Sequence, residues 1–270
     1  MNPLPLPETA RTLLSFDFDG TLHELATGNP LKNEFFELLQ ELRETEDAIW
    51  VVNTGRSLFQ TIEGMNETKF PFLPDHIIAR EREIFSPGRF GRWVAFEKWN
   101  DRCEKDHKKL FKKSKRSLKR LRTFVEEETD AEWIGSPTEP AGVVATNVAE
   151  MGQIADFADS ICKETPALSY ERNSIYMRFS HSDYHKGSAL QELQTFYQVP
   201  ISRTFVIGDG LNDVKKLRPE IAGLIACPSN AVDEVKETVR AVDGFVASKP
   251  VSDGVMESLR HFFAPKGVHS

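Results

Sequence analysis

The chain has 270 residues, of which 40% are apolar and 28% charged, and it carries a net charge of −7. This composition suits one or two folded domains with sizeable cores, excludes a disordered or fibrous chain, and disfavours a general nucleic-acid coat, which is usually basic. Three scattered cysteines (Cys103, Cys162 and Cys227), the lack of an apolar run near the roughly 18 residues of a membrane span, and a proline-rich start without a signal-peptide pattern lead to the expectation of a soluble cytoplasmic protein.

In chain order, Leu13-Leu14-Ser15-Phe16 is an apolar run that empties into Asp17-Phe18-Asp19-Gly20-Thr21, the pattern of a buried strand and a glycine turn. Residues 33–43 follow helical periodicity through Phe36, Leu39 and Leu42. Residues 48–52 form a second apolar strand closed by Asn53-Thr54-Gly55-Arg56, residues 57–65 read as helix, and residues 76–79 as a third strand. This alternation predicts a parallel α/β sheet. The next four residues, Arg80-Glu81-Arg82-Glu83, either line a cleft or form a solvated ladder, and their alternation favours the ladder.

From Ile84 the rhythm changes. A long helix is predicted over 99–128, a hairpin over 131–136 and 142–146, a helix over 149–163, and a second hairpin over 168–171 and 174–179 that turns at Arg172-Asn173. The first pattern resumes with a helix from Lys186 to Tyr197 and a strand over 204–207 ending in Gly208-Asp209-Gly210-Leu211-Asn212-Asp213. Further elements follow over 223–226, 231–239 and 254–263. The predicted architecture is α/β: a Rossmann-like parallel-sheet core over residues 1–83 and 185–270, with an inserted α+β cap over 84–184.

Asp17 and Asp19 stand two apart at a strand end, where their carboxylates repel unless a cation intervenes, and a hard Mg²⁺ ion takes such oxygen ligands. Gly20 and Thr21 offer backbone N–H groups to an anion, and Thr54 adds a hydroxyl after the second strand. Lys186 opens a helix, and Asp209 and Asp213 follow another strand. Ligand sites of open α/β sheets lie at the carboxyl ends of the strands, so these groups are expected to converge.

In order and context these four motifs resemble those of the haloacid dehalogenase superfamily of aspartate-nucleophile phosphatases. Ala231-Val232-Asp233-Glu234-Val235-Lys236 and Ser252-Asp253-Gly254-Val255 look like closing segments of its Cof-type and sucrose-phosphatase-like branch, which carries a type IIB α/β cap between the second and third motifs. The resemblance implies that Asp17 is the nucleophile and Asp19 the general acid and base. It implies Mg²⁺ held by Asp17, the Asp19 carbonyl and Asp209 with support from Asp213, and a phosphoryl group bound by Thr54 and Lys186. Gly20, Thr21, Gly55, Arg56 and Asn212 are expected beside the phosphate or substrate. Relatives often have a small or glycine-bearing turn where this chain has Arg80 to Glu83.

The expected function is Mg²⁺-dependent hydrolysis of a small phosphorylated metabolite, a sugar phosphate, through an aspartyl-phosphate. A phosphomutase and a non-catalytic binding or regulatory protein are the alternatives. Glu171, Arg172 and Asn173 bring an acid, a guanidinium and an amide to the second hairpin, a set suited to sugar hydroxyls, and are expected to read the leaving group.

Between Lys98 and Arg122 twelve Lys and Arg face three acidic residues. Within it Cys103, His107, Leu110, Ser114, Leu118 and Leu121, continued by Val125, recur at helical steps, the mark of an amphipathic helix docked by a thin apolar stripe with its other faces solvated. The expected partner is therefore the small anionic substrate, with neither nucleic acid nor membrane, and the oligomeric state stays open.

Overall fold

The computed structural model describes residues 2–24, 31–135 and 141–264. The first half of the larger unit runs β1 (Thr12–Phe16), α1 (Asn33–Glu46), β2 (Ala48–Asn53), α2 (Leu58–Glu67), β3 (His76–Ala79), β4 (Glu83–Pro87) and β5 (Trp93–Ala95). After α3 (Glu97–Lys113) come α4 (Lys115–Glu128), β6 (Glu132–Ile134), β7 (Gly142–Val144), α5 (Val148–Glu164), β8 (Leu168–Asn173) and β9 (Tyr176–His181). The chain closes with α6 (Lys186–Tyr197), β10 (Thr204–Ile207), β11 (Leu224–Cys227), α7 (Asp233–Ala241), β12 (Phe245–Val246) and α8 (Val251–Phe263).

One sheet has the order β12-β11-β10-β1-β2-β3-β4-β5, parallel from β12 to β3 and antiparallel at β4 and β5. Its central strands β1, β2, β3 and β10 are buried at every position, as continuous apolar strands covered on both faces must be. Trp50 of β2 anchors the core on one face, with ring centroids 5.9–6.3 Å from Phe16, Phe35, Phe70 and Phe72. A second sheet, β6-β7-β9-β8, is antiparallel throughout.

The chain divides into two compact units, Met1–Trp99 with His185–Ser270, and Asn100–Tyr184. The boundary expected at residue 84 falls inside the large sheet. β4 and β5 pair antiparallel onto the edge of β3, so residues 84–95 belong with the strands before them. Both strands are short, five and three residues, which is why they read as the start of the insertion.

Two further expectations shift. The long helix over 99–128 is interrupted at Ser114 into α3 and α4, while Leu110, Leu118, Leu121 and Val125 are buried in one cluster with α5 and the second sheet, as the amphipathic pattern required. The second hairpin turns two residues later than predicted: Arg172 pairs with Met177 and Asn173 with Tyr176, which leaves Ser174 and Ile175 as the turn, with Ser174 left-handed at φ 52°. Residues 136–140 of the first hairpin lie outside the described residues.

Replacing Trp50 by Ala is expected to lower stability by roughly 3–5 kcal/mol, the range for emptying a buried aromatic site. Urea unfolding followed by far-UV circular dichroism measures it; a loss below about 1 kcal/mol would mean that the Phe cluster closes over the gap.

Candidate active site

The carboxyl ends of β1, β2 and β10 and the first turn of α6 deliver the charged groups. Asp17 and Thr54 sit one residue beyond their strands, each still tied to the sheet: Asp17 N–H donates to the Ile207 carbonyl at 3.1 Å and Thr54 N–H to that of Ile78 at 2.9 Å. Lys186 is placed by a cap. His185 Nδ1 accepts the N–H groups of Gly187 and Ser188, Ser188 Oγ accepts from His185 N–H at 2.9 Å, and Asn53 Nδ2 holds the Lys186 carbonyl at 3.1 Å.

From there Lys186 Nζ donates to Asp17 Oδ1 at 2.7 Å and to Asp213 Oδ1 at 2.8 Å, all three groups being buried. A second ammonium, that of Lys216, lies 2.8 Å from the same Asp213 oxygen with no exposed side-chain surface. Asp213 Oδ2 accepts the N–H groups of Asp209 and Gly210, both at 3.2 Å. Asp213 thus closes the loop after β10, against which Gly208 must lack a side chain: a Cβ there would stand 2.2 Å from the Asp213 carboxyl carbon.

Thr21 Oγ1 donates to Asp209 Oδ1 at 2.7 Å. Gly20 is left-handed at φ 76°, and a Cβ on it would overlap Asp209 Oδ2 at 2.2 Å, so both backbone and space demand glycine. Asp19 turns away from this cluster. Its carboxylate receives both arms of Arg56, Nε at 2.8 Å and Nη2 at 2.6 Å, while the guanidinium lies over the Phe18 ring at 4.9 Å.

Burial, with Asp213 beside it, pushes the Asp17 carboxyl up to about 8 despite Lys186 and Lys216. Burial and Asp213 likewise push Asp209 up to about 6. Burial opposes ionisation of Asp213 too, but the two lysines outweigh it and hold its carboxyl below the usual range. For Lys186 burial works downward, and Asp17, Asp213 and Glu81 more than offset it. Lys216 is lowered, first by burial, although Asp213 pulls the other way.

One oxygen each from Asp17, Asp209 and Asp213 lie within 4.8 Å of one another, the spacing of a metal-binding group. Asp213 has both oxygens engaged by protein donors. Asp17 and Asp209 each have one oxygen engaged among the described residues, by Lys186 and Thr21, and their Oδ2 atoms would serve a hard cation.

Asp17, Thr21, Thr54, Gly55, Lys186, Asn212 and Asp213 therefore gather at one sheet edge with Gly20, Asp209, Asp19 and Arg56. The three hairpin residues stand in the other unit: Glu171 is buried within β8 opposite Arg178, Arg172 is half-buried, and Asn173 is exposed at the strand end. Two residues of the site carry little signal in the sequence. Lys216 had no motif to single it out beyond its place three residues after Asp213. Glu81 belongs to the stretch whose alternating charges predict a solvated ladder, yet Glu81 and Arg82 are buried at 6% and 5% exposure, and Glu81 Oε1 accepts from Asn212 Nδ2 at 2.8 Å.

Residues 92–259, more than half of the chain, match the family model of haloacid dehalogenase-like hydrolases. The chain belongs to that family. The matched segment begins beyond β1 and β2, so Asp17 and Thr54 join the site through geometry. Several solved haloacid dehalogenase folds superimpose on nearly the whole chain. The sucrose-phosphatase of Synechocystis sp. PCC6803, solved with sucrose and phosphate, is similar at a TM-score of 0.72 and 18% identity, covering 94% of this chain and 98% of that one. A haloacid dehalogenase-like hydrolase of Bacillus subtilis gives 0.64 at 18% identity, covering 98% and 96%. A sugar phosphatase of subclass IIB gives 0.63 at 15% identity, covering 93% and 98%. No curated protein matches the chain.

The raised carboxyls set a pH dependence for the metal-free protein. Between the ordinary Asp value of 3.8 and about 8, the folded chain keeps a proton on Asp17 that the unfolded chain has released, so this group's contribution to stability is lost as pH rises through that window. In excess chelator the melting temperature is expected to fall from about pH 5 to about pH 8, and Asp17→Asn to flatten the fall. A melting temperature that rises over this range in wild type and variant alike would contradict it.

Proposed function

We propose that the protein is a Mg²⁺-dependent phosphomonoesterase acting on a small phosphorylated metabolite, a sugar phosphate, through an aspartyl-phosphate. The observation that carries this reading is Asp17 at the end of β1, with Oδ1 held by Lys186 at 2.7 Å and its carboxyl clustered with those of Asp209 and Asp213. A strand-end carboxylate fixed by a buried ammonium is aimed without losing its second oxygen.

In the first half-reaction an Asp17 oxygen attacks phosphorus and the ester oxygen leaves with a proton from Asp19. In the second, Asp19 takes a proton from water, which attacks the aspartyl-phosphate and frees Asp17 and inorganic phosphate. Such acid–base help is worth roughly 10²–10⁴-fold. Arg56 holds both oxygens of Asp19 in this structure, so Asp19 must free one of them to carry the proton. Thr54 and the Gly20, Thr21 and Gly55 turns bind phosphoryl oxygens, and Lys186 both restrains Asp17 and faces the transferred group's charge. Asp17 and Asp209, with the Asp19 carbonyl, would hold Mg²⁺, and Asp213 would keep the loop in place. The ion supplies charge neutralisation for the phosphoryl oxygens and for the crowded carboxylates.

The unit Asn100–Tyr184 is read as the cap, with Glu171, Arg172 and Asn173 among the groups that recognise the leaving group. Free cysteines at 103, 162 and 227 support a reducing, cytoplasmic setting. A phosphomutase differs in its product, which contains no free phosphate.

Asp17→Asn is expected to reduce phosphate release by at least about 10³-fold with the fold intact, and Asp19→Asn by roughly 10²–10⁴-fold. Chelation should stop turnover, and Mg²⁺ should restore it better than Ca²⁺, whose longer bonds disturb alignment. A phosphate-release screen over sugar phosphates and nucleotides tests the substrate class. Turnover by Asp17→Asn within tenfold of wild type would remove the nucleophile assignment.

A further inference from the structure

Glu81 stands at the site yet has no part in the chemistry above. It lies on the turn after β3, where Arg80 and Glu81 both take left-handed backbone, φ 48° and 68°, which side-chain-bearing residues seldom adopt. The turn is pinned to the β2 loop: Arg80 N–H donates to the Arg56 carbonyl at 2.7 Å and Glu81 N–H to that of Thr54 at 2.9 Å. Strained backbone held this firmly next to a reacting centre asks what the side chain does there.

The Glu81 carboxylate is buried against the phosphoryl-binding loop. Its Oε1 lies 3.3 Å from where a Cβ on Gly55 would stand and accepts from Asn212 Nδ2 at 2.8 Å. A carboxylate only accepts, so Asn212 must turn its NH₂ to Glu81, and Asn212 Oδ1 is buried without a partner among the described residues. Glu81 is also among the charges that sustain the Lys186 ammonium. This edge of the pocket therefore presents acceptors and negative charge where a phosphate, itself an acceptor, needs donors.

We infer that Glu81 is a specificity-determining residue that weakens the pocket's hold on a phosphate dianion. Inorganic phosphate, the product, then leaves readily, and an ester must draw its affinity from its leaving group. Like charges repel more strongly in a water-poor site than in solution, so one carboxylate suffices. The inference rests on the phosphomonoesterase reading.

Two variants separate charge from space. Glu81→Gln keeps the shape and removes the charge, and Glu81→Gly suits the left-handed backbone and so should fold. Binding of inorganic phosphate is measured by calorimetry on the Mg²⁺-supplemented protein, alongside hydrolysis of p-nitrophenyl phosphate. Both variants are expected to bind phosphate at least tenfold more tightly than wild type, and to be inhibited by it at correspondingly lower concentration. Unchanged or weaker binding in both would overturn the inference and leave Glu81 as a mere holder of Asn212. Tightening in Glu81→Gly alone would overturn it as well, by showing that space and not charge is limiting. If no variant binds phosphate while wild type hydrolyses the aryl ester, the inference fails alone; if wild type neither binds nor hydrolyses, the phosphomonoesterase reading falls and this inference with it.

Discussion

Everything at the sheet edge is organised around the buried Lys186 ammonium, which the carboxyl groups of Asp17 and Asp213 share. Three elements distant in sequence each supply one partner, and none of the three groups is affordable alone in so dry a place. Removing one member of a buried ion pair costs roughly 3–5 kcal/mol, because the remaining charge is left without water. The capping of α6 by His185, the Asn53 bond to the Lys186 carbonyl and the bare backbone of Gly208 all serve to bring those partners within hydrogen-bonding reach. Lys216 adds a second cation on Asp213, so that Asp213 is committed to structure while Asp17 and Asp209 are left short of positive charge. Such an imbalance is what a hard cation relieves.

Much of this was legible from the chain alone, because the signals were local. The apolar runs ending at Phe16, Val52 and Ile207 could hardly be anything except buried strands, and each was followed at once by a turn bearing a carboxylate or a hydroxyl. Parallel strands have their chemistry at one end, so order along the chain was enough to bring Asp17, Thr54, Lys186 and Asp213 together.

The rest was decided by contacts across the fold. Alternating charges from Arg80 to Glu83 look solvated when no neighbour is known; only the pairing of the turn with the Thr54 loop turns Glu81 inward. Lys216 reads as one of two adjacent surface lysines, Lys215 and Lys216, until the loop after β10 folds it back under Asp213. Short strands fared worst. β4 and β5 are too short, at five and three residues, to announce themselves and exist because β3 offers them an open edge. The same weakness moved the second hairpin's turn, since nothing in Arg172-Asn173-Ser174-Ile175 strongly prefers one register.

The strand order also bears on how the protein comes into being. β1 pairs on one side with β2, which follows closely, and on the other with β10, and Thr21 and Asp209 at the ends of those strands are 188 residues apart. At roughly 5–20 residues per second, a ribosome takes on the order of ten to forty seconds to make the intervening chain. Throughout that interval one hydrogen-bonding edge of this fully buried strand has no native neighbour. The compact unit Asn100–Tyr184, which lies within that stretch, lets the nascent chain shelter part of itself meanwhile, but the open edge of β1 remains the natural point for chaperone capture or for mispairing between chains.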